Sequence, residues 1–318
     1  MRNYILRRII ISVPVLLAIT LIIFALLELA PGDPADFFIN PETAGNPEMM
    51  RQLRTAMGLD APAPVRYVKW LGALLRGNMG YRLKNGDSVA EIIRIRLGAT
   101  LRLVGTALIG GTLIGVLLGM FTALNRNTVW DYILTGMSFV GISMPAYIAA
   151  LLGLYFFSVK LRWFPAGGVH TIGSEETFAD LLYHLALPSL TLSLQYLASN
   201  MRYTRSSMLE VMSENFIVTA KAKGLPRKTV IYRHGLRNSL LPVITLLGLN
   251  LPTLAVGAVF VESVYSWPGM GSLYLDAIQS RDFPLIMGVN LAVAIFVVVA
   301  NLITDILYAW VDPRIRYD

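Results

Sequence analysis

Six apolar stretches of about 20 residues or more recur along this chain, at 9–30, 103–124, 132–159, 181–201, 243–261 and 285–310. A helix of about 20 apolar residues crosses the hydrocarbon core of a bilayer. The pattern therefore dictates an all-α integral membrane protein. The fourth stretch is the least apolar, because His184, Pro188, Gln195 and Asn200 fall in it. Only 15% of residues are charged, against about 25% in a soluble domain. The chain has no cysteine, which excludes disulfides, zinc–thiolate sites and thiol catalysis. Arg2, Arg7 and Arg8 followed by an apolar run imitate a secretory leader. That run exceeds the about 7–15 residues of a leader core, and Glu28-Leu29-Ala30-Pro31 is a poor cleavage site, so 1–30 reads as a retained first helix.

Charge placement fixes the expected orientation. Between the third and fourth stretches, Lys160 and Arg162 are outweighed by Glu175, Glu176 and Asp180. The next loop, 202–242, is strongly basic, with Glu210 and Glu214 its only acids. The last loop carries Glu262, Asp276 and Asp282 against Arg281. Basic loops stay in the cytoplasm, so both termini and 202–242 are expected inside. The net charge of +7 follows from this asymmetry and does not signal nucleic-acid binding. The segment 31–102 is expected outside as a small cap, with short amphipathic helices near 67–75 and 89–97. Pro31-Gly32-Asp33-Pro34 stops the first helix before it. The rest, 103–318, is expected to form a five-helix core.

Inside the stretches the polar residues are neutral. Ser143, Gln195, Asn200 and Asn250 are candidates to line a translocation path, and Ser193, Asn290 and Asn301 are similar. Glu28, Asp131, Glu262 and Asp305 fall at helix ends. A proton- or sodium-coupled carrier needs a carboxylate at membrane depth, and a selective pore needs a charged ring or carbonyl filter; neither is visible. Gly111, Gly115 and Gly119 lie four apart, which suits a close helix–helix contact, static or moving. Pro145, Pro188 and Pro252 mark bends. His170, His184 and His234 are isolated in sequence, and no catalytic or metal-binding spacing is present. Gly224-Leu225-Pro226-Arg227-Lys228-Thr229 lacks the second glycine of a phosphate loop, so the chain is not expected to hydrolyse ATP.

The basic loop has an order of its own. Ser207 and Glu210 have capping-box spacing, or simply continue the fourth helix. Met208, Met212, Phe216 and Ala220 follow at four-residue intervals, with Leu209 reinforcing that face. Lys221 and Lys223 fall in the last turn, and Gly224 with Pro226 stops the helix. A second helical stretch, 228–240, carries Arg233 and Arg237 back to Leu241-Pro242. Such a helix either docks a partner or lies on anionic lipid.

At these residues the chain resembles the permease subunits of ATP-binding-cassette importers, whose cytoplasmic loop reads Glu-Ala-Ala, three residues, Gly, then a later Leu-Pro. Here Val218 stands at the glutamate position, and Leu241-Pro242 come later than usual. Both departures fit the dipeptide/oligopeptide/nickel branch, as do Thr219 to Leu225 and His234 to Pro242. Pro31-Gly32-Asp33-Pro34, Gly58-Leu59-Asp60, Arg205-Ser206-Ser207, Ser266-Trp267-Pro268-Gly269, Arg281-Asp282-Phe283-Pro284 and Asp312-Pro313-Arg314-Ile315 are similar to that branch as well.

The resemblance implies a six-helix type I importer permease in a bacterial inner membrane. It implies a homologous second permease, two ATPase subunits holding ATP and magnesium, and an extracytoplasmic binding protein, with no cofactor on this chain. Met212, Phe216, Thr219, Ala220, Lys221, Lys223, Gly224, Arg237 and Pro242 would form the ATPase-coupling loop. Trp267, Pro268, Gly269, Arg281 and Asp282 would lie under the binding protein. The implied cargo is di- or oligopeptide, with glutathione, nickel chelates and glycosides as alternatives. A carrier or channel acting alone, or a scaffold whose basic loop binds lipid, are the readings of a different class.

Overall fold

The computed structural model describes residues 2–29, 47–56, 59–256 and 258–311. Pro31-Gly32-Asp33-Pro34, Gly58, Gly257 and Asp312-Pro313-Arg314-Ile315 lie outside the described residues. The helices are α1 (Arg2–Leu29), α2 (Pro47–Ala56), α3 (Ala63–Leu75), α4 (Val89–Leu124), α5 (Val129–Ser143), α6 (Ala146–Gly153) and α7 (Phe178–Met212). After them come α8 (Asn215–Ala222), α9 (Leu241–Asn250), α10 (Val259–Val264), α11 (Met270–Gln279) and α12 (Phe283–Val311). The described residues contain no β-strand beyond a single bridge, Tyr81 to Ser88.

Among the described residues, three helical segments are long and apolar enough to cross a membrane, namely Ile10–Leu29, Val89–Leu124 and Phe283–Ile306. Two bent pairs raise that number to five: Val129–Ser143 with Ala146–Lys160, bent by 107°, and Arg227–Asn250 with Thr253–Val264, bent by 43°. The sharper bend has a local cause. Met144 is extended at φ −79° and ψ 121°, as is usual for a residue before proline, and Pro145 is then the N-cap of α6. The expected fourth span lies in α7, which has 35 residues but more polar ones than the others.

The chain divides into two compact units, 1–98 with 272–299, and 99–271 with 300–318. In the first, α3 leans on α1: Tyr67 and Thr20 share a hydroxyl hydrogen bond of 2.9 Å, Phe24 and Tyr67 rings lie 5.4 Å apart, and Arg66 pairs with Glu28. Arg82 is nearly buried and reaches Asp276 at 2.6 Å and Asp282 at 3.5 Å. Asp282 caps α12 by accepting the Leu285 N–H at 3.3 Å, and it also accepts the Leu83 N–H at 3.1 Å. The short helix expected over 89–97 is the first part of α4. No proline or cap interrupts 89–124, so the helix runs through the boundary expected between 102 and 103.

The second unit is built on α7. A Cβ on Gly111 would stand 2.7 Å from the Ser193 carbonyl oxygen. On Gly115 it would stand 2.7 Å from that of Leu197, and on Gly119 2.5 Å from that of Met201. The three glycines thus seat α4 directly on the α7 backbone. Both residue series rise in steps of four, so the two helices run parallel. Helix α5 runs antiparallel to α7, with Asp131 near Arg205 and Gly141 near Ala198. Tyr265 and Trp267 fill the core with Leu103, Val104 and Ala150. The Tyr265 hydroxyl donates to the Ala150 carbonyl (3.1 Å) and meets Thr191 Oγ1 at 3.0 Å, so its polar end is satisfied.

Candidate functional site

The basic loop folds as a helix, a stop and a second helix. The α7 helix continues through Ser207 and Glu210 and ends at Met212, where the Ser213 N–H bonds back to the Glu210 carbonyl. A turn at Ser213 and Glu214 then resets the helical phase before α8. The four-residue spacing from Met212 to Phe216 therefore does not describe one face. Ile217 is fully buried and Ala220 nearly so, packed on Val230 beside Met212, while Phe216 is 41% exposed. The inward anchor is Ile217, and Phe216 points away.

The helix closes at Gly224. Its N–H bonds to the Lys221 carbonyl at 2.9 Å, and the Leu225 N–H reaches the Ala220 carbonyl at 3.3 Å. This pair is a Schellman motif, and it needs the left-handed φ of +75° that Gly224 adopts. Phe216, Val218, Thr219, Lys221, Lys223, Leu225, Arg227 and Lys228 all remain exposed. The product is a short rigid helix with apolar and cationic side chains outward.

The chain then returns beneath this helix. Residues 230–236 form a π-helical stretch, in which Gly235 lets the Met208 and Met212 side chains approach. Ile231 packs with Met120, Ala123 and Met208, and the Ser239 hydroxyl points at the Met208 sulfur, 3.5 Å away. Arg237 is exposed, and Pro242 sits in the first turn of α9, where its missing N–H costs nothing. The hook thus rests on the C-terminal ends of α4 and α7.

The four path candidates do not come together. Gln195 opens into a cleft of about 320 Å³ lined also by Ala146, Tyr196, Thr253 and Phe260, with no charged side chain among its described lining residues. It also borders a smaller cleft of about 170 Å³ under Met137, Val140 and Met144. Ser143 is exposed, and Asn250 is half-buried at the end of α9. Asn200 is buried in the α4–α7 seam, where its amide donates to Thr112 Oγ1 (3.2 Å) and to the Tyr196 carbonyl (2.8 Å).

The five residues expected under a docked protein differ in exposure. Trp267 is 1% exposed and its indole donates to the Ala99 carbonyl at 3.0 Å. Gly269 is buried where the Glu262 carboxylate occupies the side-chain position, and that carboxylate accepts the Thr100 hydroxyl at 2.7 Å. Asp282 is fully buried as the α12 cap. These three are consumed inside the fold, so they cannot present side chains to a partner. Pro268 is half-buried, and Arg281 is exposed with a left-handed φ of 50°.

Two groupings stand outside the sequence reading, although the four-residue spacing of Asp180 and His184 on α7 signals part of the second. Asp131 and Arg205 form a bidentate pair at 2.7 and 2.8 Å. His170 and His184, isolated in sequence, both approach Asp180, at 3.4 and 3.7 Å. The Thr171 hydroxyl and N–H hold the Asp180 carboxyl below the usual carboxylate range. Among the described residues no group of three acids or histidines is arranged to hold a metal ion.

Comparison with known proteins covers nearly the whole chain. Residues 115–317 match the family described as binding-protein-dependent transport system inner membrane component, and residues 1–104 match the N-terminal family of such membrane components. A protein of Brucella suis biovar 1, provisionally named a peptide permease protein, is 45% identical over 317 residues, covering 99% of each chain. The oligopeptide transport system permease protein AppB of Bacillus subtilis is 41% identical over the full length of both. The dipeptide transport system permease protein DppB of Escherichia coli K12 is 36% identical, covering 100% of this chain and 99% of its own.

Proposed function

The chain belongs to the binding-protein-dependent transport system inner membrane components, and from that premise we propose that its segment 212–224 is the surface through which partner ATPases drive peptide passage. It is a permease subunit of an ATP-binding-cassette importer in the bacterial inner membrane, a transport component and not an enzyme. The observation that carries the proposal is the sorting of side chains on α8. Ile217 and Ala220 anchor the helix inward, while Phe216 and Val218 are left exposed among lysines. An apolar surface rimmed by charge on a capped helix suits insertion into a groove of another protein.

The finer reading has six crossings with both termini inside, 31–102 as an external cap, and 202–242 in the cytoplasm. The parallel run of α4 and α7 supports it, since two parallel spans need one return crossing between them, which the bent pair at 129–160 supplies. Gln195 with Tyr196 and Thr253 forms the path wall in this chain, and a homologous second permease supplies the facing wall. A neutral, weakly polar wall suits peptides of many sequences. Arg281 belongs to the docking surface for the extracytoplasmic binding protein, and two ATPase subunits hold ATP and magnesium.

The test replaces Gly224 by valine, which resists the left-handed φ that the stop requires. In proteoliposomes holding the whole complex, uptake of radiolabelled alanyl-alanine per ATP hydrolysed should fall about tenfold while assembly persists. Unchanged uptake per ATP would count against the docking role.

A further inference from the structure

The joint between α7 and α5 stands apart from the other helix contacts in this unit. Arg205 lies about two turns before the end of α7, on the same rigid helix whose end carries Met208 and Met212 under the coupling segment. Asp131 lies in the first turn of α5. Arg205 Nε donates to Asp131 Oδ1 at 2.7 Å and its Nη2 to Oδ2 at 2.8 Å. Asp131 is 2% exposed, and it also accepts the Asn127 N–H at 3.1 Å and the Thr135 hydroxyl at 3.3 Å. One turn away, the Arg202 guanidinium sits 4.7 Å from the Phe139 ring. Further along, α5 meets α7 through small apolar contacts such as Gly141 on Ala198. Its far end, with Met137 and Val140 and the C-cap Met144, walls the smaller cleft that Gln195 borders.

We propose that the Asp131–Arg205 pair is the joint that carries displacement of the coupling segment into the α5–α6 arm beside the cleft. The inference rests on the coupling function proposed above for 212–224. Apolar contacts between helices slide at little cost, whereas a bidentate charge-assisted pair fixes register and orientation. The Arg205 side chain stays 26% exposed, so the pair is half-buried; such pairs contribute little net stability compared with apolar replacements, and the best-attested use of buried ones is to hold registry or a switch. Here the pair sits at the one end of α5 that reaches the ATPase side of α7. Asp131 and Arg205 are positioning residues: they touch no substrate, and they act through α5.

The experiment uses the whole complex in proteoliposomes, with ATP hydrolysis, uptake of radiolabelled alanyl-alanine and co-purification of the ATPase subunits measured side by side. Asp131→Asn and Arg205→Gln should assemble and hydrolyse ATP near the wild-type rate, with uptake per ATP lowered about tenfold. The double exchange Asp131→Arg with Arg205→Asp should restore uptake per ATP to near wild type. Single variants that keep wild-type uptake per ATP overturn the proposal. So do single variants that lose assembly, because the pair is then only structural, and uncoupled singles that the exchange fails to rescue. A wild-type complex without ATP-driven uptake or co-purifying ATPases overturns the coupling reading itself, and this inference with it.

Discussion

Gly115 shows how much a single residue decides here. A Cβ at this position would stand 2.7 Å from the Leu197 carbonyl oxygen and 2.9 Å from the Asn200 Cβ, on the backbone of a helix that cannot move aside locally. Gly115→Ala should therefore lower stability by about 1–3 kcal/mol, the usual cost of overpacking. Gly110→Ala, five residues earlier with no atom within 4 Å, should instead be neutral or gain up to about 1 kcal/mol of helix propensity. Thermal melting of the two variants in detergent checks the contrast in sign. The four-residue glycine spacing was legible in the sequence as a close contact, but its partner was not. Asn200 shows the converse. Its amide suggested a polar path, yet the seam that the glycines create takes it as an internal bond to Thr112. A polar residue on an apolar helix reads the same whether it faces a cavity or a neighbour.

At the scale of elements, α8 is where sequence periodicity misled. Met208, Met212, Phe216 and Ala220 keep an unbroken spacing, and no proline or glycine marks Ser213 and Glu214 as a break. The turn there rotates the next helix, so Ile217 replaces Phe216 as the anchor. Gly224, by contrast, was legible, because a left-handed stop has a residue preference that apolar spacing lacks. Ile217→Ala should cost the isolated chain about 2 kcal/mol, at the low end for a buried aliphatic truncated in a small satellite cluster. Phe216→Ala should leave chain stability within about 0.5 kcal/mol, as for other exposed positions, and should weaken retention of the ATPase subunits. Denaturation of the purified chain and co-purification of the complex separate the two effects. Helix α4 gives a similar lesson: its amphipathic start and apolar remainder read as two elements, but nothing in 89–124 breaks the backbone.

For the whole molecule, hydropathy gives an all-helical membrane chain and reads the stretch in α7 most weakly, yet α7 is the helix against which α4, α5 and the proposed coupling segment pack. A helix that buries polar residues such as His184, Asn200 and Thr204 against its neighbours needs fewer apolar ones, so the helix on which the second unit is built is the part hydropathy sees least well. Pairings such as Asp131 with Arg205, 74 residues apart, were beyond sequence reading because no local rule links them. In the proposed function, exposed residues of α8 enter an ATPase subunit. The chain has no cysteine of its own, so a single introduced cysteine can carry a benzophenone photo-crosslinker without background from this chain when the purified subunit is labelled before assembly. In the assembled complex, Val218→Cys should cross-link to the ATPase subunit and Ile217→Cys only within this chain. Adducts of Val218→Cys with lipid alone, in a complex that retains its ATPases, would contradict the claim.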